Sequence, residues 1–67
     1  MHRAIKRASA VVGSVPELAR ILKVSRAALY QWPRCPPLRV LQVEAATGGI
    51  VTRHELRPDL YPVENDG

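Results

Sequence analysis

Between Ser25 and Gln31 the chain reads Ser-Arg-Ala-Ala-Leu-Tyr-Gln, a run rich in side chains that can donate or accept hydrogen bonds. The Arg26 guanidinium presents two donors at the separation of guanine O6 and N7, and the Gln31 amide matches adenine N6 and N7. The Ala27 methyl suits the C5-methyl of thymine, Ser25 lies at the start of the same run, and Tyr30 is placed for either a base or a phosphate. Ser25, Arg26, Ala27, Tyr30 and Gln31 are therefore the candidate base-contacting residues. Nothing beside them reads as catalytic. His54 stands next to Glu55 without a nucleophile or an oxyanion-hole pattern, and Gly48-Gly49 lacks the preceding strand and following lysine of a phosphate loop. Recognition is expected, and no enzyme.

Reading base edges needs a helix held firmly at both ends. Ser25 is a suitable N-cap, and Pro33 disfavours helical geometry at Trp32, so a helix should open at Ser25 and close at Trp32. A second helix should precede it, from about Val15 to Leu22. Ser14 is its N-cap, Glu17 completes a capping box, and Pro16 is tolerable in the first turn. Leu18, Leu22, Val24, Leu29 and Trp32 fall where two crossed helices share one small core, with Ala19 at their closest approach. Lys23 and Val24 form the turn. Two short helices joined this way make a helix-turn-helix, whose second helix lies in the DNA major groove. Ser14, Arg20, Lys23, Arg34 and Arg39 are the candidate phosphate contacts around it.

Charge supports that partner. Residues 1–40 hold eight basic side chains against the single acid Glu17, a balance of +7, whereas residues 41–67 hold Arg53 and Arg57 against five acids, a balance of −3. The positive excess thus surrounds the two helices and suits a phosphate backbone. A chain of 67 residues is one small domain. It buries only about 60% of its unfolded surface, so dimerisation would help it. One cysteine, Cys35, excludes an internal disulfide framework, and with two distant histidines it makes no zinc site; no metal or cofactor is expected. No apolar run approaches the roughly 20 residues of a membrane span and no signal peptide is visible, so a reduced, cytoplasmic setting is expected.

The remaining elements frame the pair. Ala4, Ile5, Ala8, Val11 and Val12 follow a helical stripe from about His2 to Val12, ended by Gly13. Pro33 to Pro37 is a stiff connector. A fourth helix should run from about Pro37 to Thr47, with Leu38, Leu41 and Ala45 flanked by Val40, Val43 and Ala46 on a wide apolar face. Gly48-Gly49 should stop it. Thr52 and Glu55 make another capping box, with Val51 and Leu56 placed as a hydrophobic staple around a one-turn helix from Arg53 to Leu56. Leu60 and Tyr61 are placed to pack back on the core, and residues 64–67 should form a disordered tail.

The segment LARILKVSRAALYQW resembles the helix-turn-helix of the Cro and phage-repressor group. The later segment VEAATGGIVTRHELRPDLYP, with its ATGG-x-VT-x-x-x-LRPD run at Ala46 to Asp59, resembles the YdaS-like, Cro-type prophage regulators. The resemblance covers about Ser14 to Pro62. It implies an all-α fold of five short helices, a lambda-repressor-like (Cro-type) helix-turn-helix domain spanning residues 1–63. It also implies a dimeric repressor of phage or prophage origin that binds palindromic operator double-stranded DNA, with no membrane and no small-molecule substrate. An antitoxin-type protein-interaction role on the same fold is the alternative. Lys23 departs from the glycine usual in that family, where the turn takes positive φ at a cost on the order of 1 kcal/mol for a residue with a side chain. The connector after Trp32 is also shorter and richer in proline than in many relatives.

Overall fold

A computed structural model describes residues 1–62, and the tail expected beyond Val63 lies outside the described residues. Five helices follow in order: α1 (Arg3–Val12), α2 (Val15–Leu22), α3 (Arg26–Gln31), α4 (Val40–Ala46) and α5 (Arg53–Leu56). A short 3-10 turn, Pro37–Arg39, leads into α4. No strand occurs among the described residues.

Four of the five helix starts are set by a side chain that accepts a main-chain N–H; α4, entered through the 3-10 turn, has no such cap. His2 does this for α1 through Nδ1, taking the Ala4 N–H at 3.2 Å. Ser14 takes the Glu17 N–H at 3.2 Å, Ser25 the Ala28 N–H at 3.1 Å and Thr52 the Glu55 N–H at 3.2 Å. Such caps are worth about 1 kcal/mol each. The capping boxes are only half made. The Glu17 carboxylate goes to Arg20 rather than back to Ser14, and the Glu55 carboxylate goes to Arg7 on α1. The caps remain, while the carboxylates have become ion pairs.

Two helix ends use one device. The Lys23 N–H donates to the Arg20 carbonyl at 3.2 Å and the Val24 N–H to the Ala19 carbonyl at 3.0 Å. Lys23 has φ 58° and ψ 43°, the left-handed conformation anticipated there. At the end of α4 the same pair of bonds runs from Gly48 to Ala45 at 3.0 Å and from Gly49 to Glu44 at 2.9 Å, with Gly48 at φ 64°. This is the Schellman ending, built once with glycine and once with lysine.

The core gathers Ile5, Leu18, Leu22, Leu29, Val40, Val43, Val51 and Leu56, with Cys35 beneath the connector. Helix α2 packs on α1, α3 and α4, and α1 also meets α4 and α5. Helix α3 leans chiefly on α2, and Leu29 is its one buried residue. That anchor contributes about 1.5–3 kcal/mol relative to an exposed leucine. Trp32 is half-buried against the core, as are Val12, Val15 and Tyr61. Val51 and Leu56 are both buried, as a staple requires.

Two apolar stripes differ from expectation. On α1 the buried set is Ala4, Ile5, Ala8 and Ser9, and Val11 is exposed. Ser9 is tolerated inside because its hydroxyl donates to the Ile5 carbonyl at 2.9 Å. On α4 only Val40 and Val43 are fully buried and Ala46 half-buried, whereas Leu38 is 90% exposed and Leu41 and Ala45 also face outward. The tight 3-10 entry after Pro36-Pro37 begins the helix at Val40, which turns Leu38 away from the core. None of the helices is long and apolar enough to cross a membrane.

The C-terminal motif has a structural logic that its letters do not reveal. The Thr47 hydroxyl accepts the Val51 N–H at 3.0 Å and bridges to the Glu44 carbonyl at 3.0 Å, folding the Gly48-Gly49 loop over itself. Glu44 in turn accepts the Arg53 N–H at 2.7 Å and its guanidinium at 2.9 Å, so α4 helps to hold the start of α5. Beyond Pro58 the chain does not extend. Leu60 and Tyr61 donate their N–H groups to the Arg57 carbonyl at 3.1 and 2.8 Å, closing a turn.

Candidate nucleic-acid interface

Helix α3 has two unlike sides. Leu29 is buried and Ala28 half-buried on the side against α2, while Arg26, Ala27, Tyr30 and Gln31 are exposed. Ser25 is exposed at the cap, so all five candidate base-contacting residues belong to one continuous outward surface. Tyr30 is 56% exposed and is a surface side chain. The helix ends because Trp32 adopts extended geometry, ψ 119°, ahead of Pro33.

The candidate phosphate-contacting residues are more varied. Ser14 and Lys23 are exposed at the two ends of α2, and Lys23 has no carboxylate within ion-pair range among the described residues. Arg20 is paired with Glu17 on its own helix. Arg34 lies 3.4 Å from the Asp59 carboxylate. Arg39 donates to the Leu22 carbonyl at 3.1 Å and to Gln42 Oε1 at 2.9 Å, so it caps the end of α2. These engagements are exposed or partly so, and surface pairs of this kind hold by about 0–1 kcal/mol.

The ion pairs sort the charge. Each of the four described acids is matched: Glu17 by Arg20, Glu44 by Arg53, Glu55 by Arg7 and Asp59 by Arg57. Hydrogen bonds from those arginines hold the carboxyls of Glu17 and Glu44 below their ordinary values, and Arg57 holds that of Asp59 down at about 2. Arg3, Lys6, Lys23, Arg26 and Arg39 are left with no carboxylate in range among the described residues. Two of them, Lys23 and Arg26, flank the start of α3. The acids Glu44, Glu55 and Asp59 belong to α4, α5 and the turn after it. Lys23 and Arg26 thus leave positive charge, unpaired among the described residues, beside the exposed side of α3.

Arg57 was not singled out by the sequence. It is only 8% exposed, bonds Asp59 through Nε at 2.9 Å and Nη2 at 2.7 Å, and donates from Nη1 to the Cys35 carbonyl at 3.0 Å. It fastens the connector that follows α3 to the turn that follows α5. The Arg-Pro-Asp spacing was the available signal, since a proline between them forces the turn that lets the two side chains meet. Cys35 is buried, and burial pushes its thiol up to about 11.

Comparison with known proteins agrees with this architecture. Residues 5–64 match the profile of a family described as Bacterial toxin YdaS. A protein of Escherichia coli (strain K12), named for transcriptional regulation as YdaS, is 42% identical over 59 residues, covering 82% of this chain and 60% of that protein. The chain thus spans about 60% of the length of this curated relative. The solved structure of the Cro protein from the prophage element Xfaso 1 of Xylella fastidiosa strain Ann-1 superposes with a TM-score of 0.86 at 37% identity. That match covers 92% of this chain and all of the other.

Proposed function

The chain belongs to the YdaS family, and from that premise we propose that it is a sequence-specific, DNA-binding transcriptional regulator acting as a Cro-like repressor of phage or prophage origin. The observation that carries the reading is the exposed side of α3, where Arg26, Ala27, Tyr30 and Gln31 lie together above a single buried leucine. In this reading Arg26 pairs with guanine, Gln31 with adenine, Ala27 meets a thymine methyl, and Ser25 and Tyr30 complete the edge contacts. Ser14, Arg20, Lys23, Arg34 and Arg39 hold phosphates and fix the register. The protein works in the cytoplasm and performs no catalysis. One such module reads few base pairs, so two copies bind half-sites about 34 Å apart. The outward Leu38, Leu41, Ile50 and Leu60 supply apolar surface for joining them.

The family description as a toxin favours one rival reading, a module that holds another protein in a toxin–antitoxin pair through the same apolar surface. Selection of bound sequences from a random duplex pool separates the two. A palindromic motif supports the operator-binding dimer, and failure to enrich any sequence at low salt rejects it.

A further inference from the structure

We infer that α1 is a third part of the nucleic-acid face, with Lys6 contacting a backbone phosphate beside the groove that α3 enters. The inference rests on the DNA-binding reading and extends it to a helix outside the helix-turn-helix.

A surface groove runs between α1 and the other two helices, lined by Lys6 and Ala10 from α1, Ser14 and Val15 at the start of α2, and Tyr30 from α3. Tyr30 belongs both to this groove and to the base-reading side of α3, so the two surfaces are continuous. A strand lying against Tyr30 therefore passes onto Lys6. Ala10 and Val15 give the groove apolar walls suited to a deoxyribose, and among the described residues no acid lines it. Lys6 is exposed and has no carboxylate in range among the described residues. Its flexible stem can lie along the apolar wall while the ammonium, a compact point charge, meets the phosphate.

The other cations of α1 are placed differently. Arg7 is paired with Glu55, and Arg3 lines a separate groove with His2, Ala4 and that same glutamate. Lys6 alone of the three shares a groove with α3. An uncompensated cation over apolar walls, continuous with a base-reading surface, fits the sugar–phosphate backbone of a duplex.

The test titrates the full chain and its Lys6→Ala, Lys6→Arg and Arg3→Ala variants with random-sequence duplex from about 50 to 200 mM salt. Loss of one phosphate contact lowers the slope of log affinity against log salt by about 0.9. Across this fourfold range the wild-type advantage over Lys6→Ala then shrinks about 3.5-fold. Lys6→Arg keeps the wild-type slope, and so does Arg3→Ala, which removes the same charge from the same helix. An unchanged slope in Lys6→Ala, with the wild type binding DNA, overturns the assignment. So does an equal fall in Arg3→Ala, which marks a net-charge effect. Absence of wild-type binding at the lowest salt is the separate failure of the DNA reading, and the assignment falls with it.

Discussion

Arg39, at the entry to α4, donates a guanidinium N–H to the carbonyl of Leu22, the last residue of α2, at 3.1 Å. The bond ties the far side of the connector to the turn that aims α3. Its charge-assisted character gives it about 1 kcal/mol at a half-exposed position. Arg39→Ala should therefore lower the melting temperature by about 4–8 °C, read by circular dichroism. A melting temperature within a degree of the wild type would show that the tether contributes no stability.

Lys23 sits in the left-handed region at φ 58°. Glycine adopts that geometry without the side-chain clash, and the gain outweighs its extra unfolded-state freedom. Lys23→Gly is expected to raise stability by about 0.5–1 kcal/mol in urea unfolding. The same change removes a candidate phosphate contact, so affinity for every duplex falls while the fold becomes more stable. Unchanged affinity in the variant would place Lys23 outside the DNA contact, and a loss of stability would overturn the account of the turn.

Arg26 is exposed at the first position of α3 and carries no carboxylate partner among the described residues. Arg26→Ala should cost roughly 1–3 kcal/mol on the selected site and relax the preference at one base pair. Binding curves on the selected and random duplexes check this. An equal loss on both would turn Arg26 into a phosphate contact.

Asp59 has its carboxyl held at about 2 against an ordinary 3.8, chiefly by the hydrogen bonds from Arg57. The folded value lies below the unfolded one, so the stability it adds is complete above about pH 4 and drains away as the pH falls towards 2. Asp59→Asn removes that contribution. The urea midpoint of the variant should lie below that of the wild type at pH 7, with the gap closing as the pH is lowered through this window. A gap that stays constant would mean that the pair does not titrate with folding.

Much of this architecture is legible in the letters because its signals are local. Ser14, Ser25 and Thr52 announce helix starts, Gly48 and Pro33 announce stops, and Leu18, Leu22 and Leu29 mark the shared core of the helix-turn-helix. The positive φ at Lys23 was implied by the family resemblance, in which glycine usually holds that position. What escaped depends on which partner each side chain takes once the chain is folded. Glu17 and Glu55 have the spacing of capping boxes, yet arginines claim their carboxylates, and for Glu55 the claimant is Arg7 on another helix. Leu38 reads as core by composition, but the 3-10 entry turns it outward. Arg57 reads as one more charge until the turn at Pro58 brings Asp59 onto its guanidinium and leaves the arginine buried. Lys6 reads with Arg3 and Arg7 as an off-stripe cation of α1, facing solvent or a phosphate. Only the fold sets it apart, by laying it in the groove that Tyr30 lines.

The bond from Arg57 to the Cys35 carbonyl has a further consequence. Cys35 is shut beneath the connector with its thiol pushed up to about 11, so a thiol-modifying reagent meets it only when that connector lifts. Its rate of alkylation is then a built-in clock for the opening of the segment that holds the end of α3. DNA bound across α3 should slow that clock, reporting occupancy without any label on the recognition surface.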